Sequence, residues 1–188
     1  MTTLTHPSVL FPGPPTVSLD VPDGWVPVHR PGLLLAAKLP REGAFAPNVV
    51  VNVEAYAPGA GVEAPMARMR EMAQSRSGHA SEPYAAQLGD REFVGLDSSW
   101  PDDDVETILQ ANLFHVVEPE DEAGPRWLIQ LTGAVGGPTA EQDYDLVRDV
   151  ILTTRVTPWR PEQPEGVRAS EDRAPFKDGA RSEGGDRP

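Results

Sequence analysis

The chain contains no cysteine in 188 residues. That excludes disulfides, thiolate metal sites, thiol nucleophiles and a lipid-bearing cysteine. Lysine is almost missing as well: Lys38 and Lys177 are the only two, and the other basic residues are arginines. Against 16 basic residues stand 29 acidic ones, a formal net charge of −13. Binding to phosphate backbones needs clustered Lys and Arg, so neither nucleic acid nor an anionic membrane surface is an expected partner. No apolar run approaches the roughly 20 residues needed to cross a bilayer, so no membrane insertion is expected. The first ten residues have neither the basic start nor the apolar stretch of a secretory signal. The expected address is therefore the cytoplasm.

What is present is a strong period-two pattern. After the Pro47-Asn48 turn, Val49, Val51, Val53 and Ala55 alternate with Asn52, Glu54 and Tyr56, which predicts a strand with one buried and one wetter face. Before it, residues 16–21 alternate around Val17, Leu19 and Val21 and lead into a Pro22-Asp23-Gly24 turn and Trp25. Residues 33–39 are apolar on both parities, as a central strand should be. Residues 84–88 and 91–100 flank Gly89-Asp90, a two-residue hairpin signal. A second hairpin turns at residues 101–104 and continues over residues 105–118, with Val105, Thr107, Leu109, Ala111, Leu113, His115 and Val117 on one face. Residues 118–125 read as an acidic loop, and residues 126–134 as a further strand with Trp127, Ile129 and Leu131 inward.

Two stretches change to helical period. Val62, Met66, Met69, Met72 and Ala73 predict a helix over residues 62–76, with Pro65 in the first turn and Ser77-Gly78 ending it. The methionines read as an apolar stripe packed on the sheet, with a soft partner groove as the alternative. Tyr144, Val147, Val150, Ile151 and Thr154 predict a second helix ending near Val156, before Pro158. Thr139-Ala140-Glu141-Gln142 fits a capping box at its start, and Glu141 and Asp143 favour the positive helix end.

The expected organisation is an irregular, proline-rich arm over residues 1–15, one domain over residues 16–157, and a disordered tail over residues 158–188. The tail has Trp159, Val167 and Phe176 as nearly its only bulky apolar groups, too few to offset backbone ordering at roughly 1–2 kcal/mol per residue.

Chemistry is hard to find in this sequence. His6, His29, His79 and His115 have no second histidine or acid at ligand spacing. His115, on an apolar strand face, reads as a core histidine with one satisfied hydrogen bond. Ser98-Ser99 lies in a strand and not in a G-x-S-x-G elbow. Gly59-Ala60-Gly61 and the glycines from Gly133 to Gly137 lack a phosphate-binding pattern and read as loops. No catalytic residue, cofactor site or metal site is therefore expected. Asp102, Asp103 and Asp104 form the one concentrated charge. They read as a solvated hairpin tip, and they are also the only binding candidates, as a docking patch for a basic partner.

Val21-Pro22-Asp23-Gly24-Trp25 and Phe45-Ala46-Pro47-Asn48-Val49-Val50-Val51, in this order of strands and helices, resemble the LpqN/LpqT family of actinobacteria over residues 16–157. That family is similar to the PsbP-like fold, shared with DcrB-type bacterial proteins and a yeast Ran-binding import factor. The resemblance implies an α+β fold, an antiparallel β-sheet flanked by two main helices in an α/β/α sandwich. It also implies a non-enzymatic binding module. Many family members are lipoproteins, and here the sequence departs, having no lipid-bearing cysteine. The expected function is thus a protein-interaction module, an adaptor or chaperone-like partner of an unidentified protein, with a link to secretion. A small-ligand carrier and a hydrolytic enzyme are the alternatives. The oligomeric state is left open.

Overall fold

The computed structural model describes residues 5–8, 11–119 and 124–160. In chain order its elements are β1 (Thr16–Ser18), β2 (Val26–Pro27), β3 (Leu35–Lys38), β4 (Asn48–Tyr56), α1 (Glu63–Ser75), β5 (His79–Ala80), β6 (Tyr84–Leu88), β7 (Arg91–Asp102), β8 (Glu106–Val117), β9 (Arg126–Gly136), α2 (Ala140–Leu152) and β10 (Arg155–Thr157). An antiparallel sheet runs in the order β2-β3-β4-β9-β8-β7, with β5 and β6 both pairing the outer edge of β7. The alternating stretch after Pro47 is β4, which pairs β9 along its whole length, from Asn48↔Ala134 to Tyr56↔Arg126.

The sheet is covered on both faces. On one, Val49, Val51, Phe93, Leu113, Ile129 and Leu131 pack against Val147, Val150 and Ile151 of α2. On the other, Leu96, Phe114 and Leu128 meet Met66 and Met69 of α1, and Trp100 and Ile108 meet Ala73 and Met72. The methionines thus form the expected stripe against the sheet. Because β8 and β9 are buried on both sides, Leu128 and Phe114 are as deep as their inward-read neighbours, which strict alternation misses. Gly133 lets α2 approach closely: a Cβ there would lie 2.8 Å from Ile151 Cδ1. Truncating a fully buried side chain of this stripe, such as Ile151 to Ala, removes about 2–5 kcal/mol.

The face under α1 also buries a polar seam. Asn112, with no exposed surface, donates to Ser98 Oγ at 3.2 Å and accepts from Thr132 Oγ1 at 3.2 Å. Such a seam is tolerated because its members satisfy one another.

Several expectations change in the structure. Residues 33–39 are not a central strand. Only the two residues of β2 lie outside β3, and Leu34 and Leu35 are 41% and 36% exposed, because the helices pack mainly over β4 and the strands beyond it. The second helix stops at Leu152 instead of near Val156. Arg155–Thr157 then pairs Thr16–Ser18 in a separate ribbon, where Val17 and Val156 are partners and both buried. Pairing with a distant strand outweighs the local helical period here, and Thr153 fixes the corner by accepting from the Asp20 amide at 2.8 Å.

The capping box does not form. Thr139 has φ −99° and ψ 8° and makes no side-chain cap bond. Its hydroxyl donates instead to Asp143 Oδ2 at 2.8 Å and accepts from Arg41, which pairs the other oxygen of the buried Asp143. A buried carboxylate needs partners more than an exposed helix end needs a cap.

Helix α1 ends in a Schellman pattern. Gly78 N–H reaches Ala73 O at 2.8 Å and Ser77 N–H reaches Gln74 O at 3.0 Å, with Ser77 itself at φ 59°. The expected arm and tail fall partly outside the described residues, namely 1–4, 9–10 and 161–188. Among the residues that are described, the Trp159 indole lies against Gly13.

Candidate functional site

The Gly89-Asp90 turn sets Leu88 opposite Arg91, and that register carries Tyr84 to within reach of Asp97, two residues beyond its partner on the same face. The Tyr84 hydroxyl donates to Asp97 Oδ1 at 2.7 Å. The chain leaves the edge of β7 after Ser81 and returns to it with β6, and Glu141 and Tyr144 from the first turns of α2 line the same opening as Asp97 and Ser99 of β7. The result is an open groove of about 420 Å³. Its floor is Asp97, Ser99 and Leu109, its edge His79 and Ser81, and its roof Glu141 and Tyr144.

Asp97 is the centre of this groove. Its backbone N–H donates to Ser81 Oγ at 3.1 Å, and its carbonyl accepts from the Ser81 amide at 2.8 Å, so the backbone is held from the sheet edge. Two phenols flank its carboxylate, Tyr84 from β6 and Tyr144 from α2. Burial, followed by the neighbouring Asp97 carboxylate, pushes both phenols above the ordinary tyrosine range, while Arg148 opposes the shift. Both therefore stay protonated and act as donors, unsuited to serve as bases. The groove combines a carboxylate with free acceptor capacity, a second carboxylate at Glu141, and aromatic and aliphatic walls.

The other sequence candidates are elsewhere. Asp102 closes the β7–β8 hairpin: its Oδ1 accepts from the amides of Asp104 at 3.1 Å and Val105 at 3.2 Å. That is an Asx-type turn, and Glu106 at φ 67° completes it. Asp103 and Asp104 are exposed at the tip, a few residues along β7 from the groove. His115 is half-buried; its Nδ1–H donates to Glu92 O at 2.8 Å, its ring stacks at 4.9 Å on Phe93, and its Nε2 has no partner. Burial lowers its pKa.

The Gly59-Ala60-Gly61 loop is braced, with Tyr56 donating to Gly61 O at 2.7 Å and Arg126 to the carbonyls of Ala57 and Ala60. Among the described residues no three His, Asp or Glu are grouped to hold a metal ion, and no helix is long and apolar enough to cross a membrane.

Neither Asp97 nor the tyrosines stand out in the sequence, because they come from segments far apart in the chain. The one signal that points to them is the hairpin: counting outward from a two-residue turn places Tyr84 opposite Gly95, diagonal to Asp97.

The architecture is that of an α+β protein, mostly antiparallel sheet with two helices. Its similarity among solved structures is to LpqN, a protein involved in cell envelope biogenesis of Mycobacterium tuberculosis: 18% identity, a TM-score of 0.59, and coverage of 84% of this chain and 90% of that one. A Pseudomonas aeruginosa protein of unknown function matches at 19% identity and a TM-score of 0.45, over 79% of this chain and 99% of that one. A Bacteroides thetaiotaomicron protein matches at 9% and 0.43, over 78% of this chain and 46% of that one. No protein-family model matches the chain, and no curated protein sequence does.

Proposed function

We propose that this chain is a non-enzymatic interaction module, an adaptor or chaperone-like protein of the LpqN kind, whose working surface is the groove between α2 and the β5–β7 edge. The observation that carries the reading is the groove's shape and size. About 420 Å³, open to solvent and walled by Asp97, Leu109 and Tyr144, is room for one or two side chains of a partner polypeptide. A carrier of small molecules needs a site that encloses most of its ligand, and this one is open along the sheet edge. The likeness to LpqN in fold supports the grouping.

The test places a photo-crosslinking benzoylphenylalanine at Ser99, in the groove, or at Gln74, on the exposed side of α1, and irradiates each in the native host. Polypeptide adducts specific to Ser99, reproduced with the purified partner, are expected. Equal adducts at both positions would remove the groove from the interaction. A small molecule retained in native mass spectrometry, without polypeptide adducts, would favour the carrier alternative.

A further inference from the structure

From the same groove we infer the chemistry of its occupant: a basic peptide segment that places an arginine or lysine side chain against Asp97. The inference rests on the reading of the groove as an interaction surface. Asp97 lies on the floor and Glu141 at the roof, so two carboxylates from different elements converge on one opening. The Tyr84 hydroxyl donates to Asp97 Oδ1 and the Tyr144 phenol flanks the same carboxylate, so two of its roughly four acceptor positions are engaged and the rest remain for a further donor. Tyr144 and Leu109, both packed partly on the core, line the groove and offer apolar surface for the aliphatic stem of such a side chain.

Two features oppose a cation, and neither changes the balance. His79 stands at the rim and Arg148 lies close to the tyrosine pair. Further along the same hairpin, Asp103 and Asp104 are exposed at the tip, and Glu106 follows the turn. A basic segment lying along β7 from the groove to the tip would meet carboxylates at both ends. The formal net charge of −13 gives a field that speeds such an encounter and works against an acidic partner.

The experiment is an amide NMR titration of the full chain with two acetylated, amidated hexapeptides, one alternating Ala and Arg and the other Ala and Gln. The arginine peptide is expected to move the resonances of Ser99, Leu109 and Tyr144, to weaken with added salt, and to bind at least roughly tenfold more tightly than the glutamine peptide, about 1.4 kcal/mol. Asp97→Asn keeps an acceptor for Tyr84, so an unchanged spectrum outside the groove certifies its fold, and its affinity for the arginine peptide should fall by on the order of tenfold. Equal binding of both peptides in the groove would overturn the cation preference and leave the interaction surface standing. Shifts confined to Asp103 and Asp104 would move the basic segment to the tip and overturn the role of Asp97. No response to either peptide at millimolar concentration would sink the cation inference, while the groove reading would stand or fall separately on the crosslinking at Ser99.

Discussion

The ring of Tyr84 lies on Gly95, its direct partner across the β6–β7 hairpin. A Cβ built on Gly95 would come within 2.2 Å of Tyr84 Cε2. The absent side chain is what lets the phenol lie flat along β7 and reach Asp97. Gly95→Ala should therefore displace Tyr84, cost about 1–3 kcal/mol through overpacking, and break the Tyr84–Asp97 bond. Urea melts give the first quantity. The second is read in the Tyr84 ring resonances, and a ring that does not move would refute this account.

The two phenols make stability depend on alkaline pH. Their folded pKa values are raised, so above pH about 10 the unfolded chain releases protons that the folded chain keeps. The stabilisation is complete below that pH and declines as pH rises through the folded values. A Tyr84→Phe, Tyr144→Phe double variant should lose stability less steeply above pH about 10 than the parent. Parallel curves would mean that the phenols titrate normally.

His115 acts at the opposite end of the scale. Burial lowers its folded pKa, so below pH about 6.5 the unfolded chain takes up a proton that the folded chain resists, and stability falls with pH. His115→Gln should shift the melting temperature and flatten this acid limb relative to the parent. Thermal melts between pH 5 and pH 7 provide the comparison, and an identical slope in both proteins would contradict it.

Asp102 differs from the other acids at the tip. Asp102→Ala removes the acceptor for two amides and should cost about 1 kcal/mol, by analogy with the loss of a helix cap. Asp102→Asn retains an acceptor, and Asp103→Asn and Asp104→Asn touch no such bond, so each should stay within about 0.5 kcal/mol of the parent. Denaturation midpoints decide, and a costly Asp103 or Asp104 change would show a role the hydrogen bonds do not contain.

Strands with a single buried face were legible in the sequence. β4 and the β6–β7 hairpin could be read directly, because alternation and a two-residue turn are local signals. Edge position was not legible: Leu34 and Leu35 have the composition of an interior strand, and only the order of strands reveals that they are exposed. β10 was hidden for a similar reason. Thr154 continues the spacing of Val147 and Ile151, and the pairing of Val156 with Val17 depends on a contact across most of the chain. The groove demanded more still, since Tyr84, Asp97 and Tyr144 meet only after a hairpin register and a helix docking are both set. The acid run was conspicuous in sequence, yet Asp102 is occupied by the turn it closes.

The ribbon of β1 and β10 makes neighbours of positions 141 residues apart in sequence, since Thr16 faces Thr157 across a single ladder. Paired residues of antiparallel strands stand about 4.5–5.5 Å apart. The domain is thus a loop of polypeptide with one neck. Whatever is fused to either end leaves from the same side, and a linker of a few residues would close the chain on itself. The whole unit could then be carried as an insert within another protein without separating the host's flanking segments.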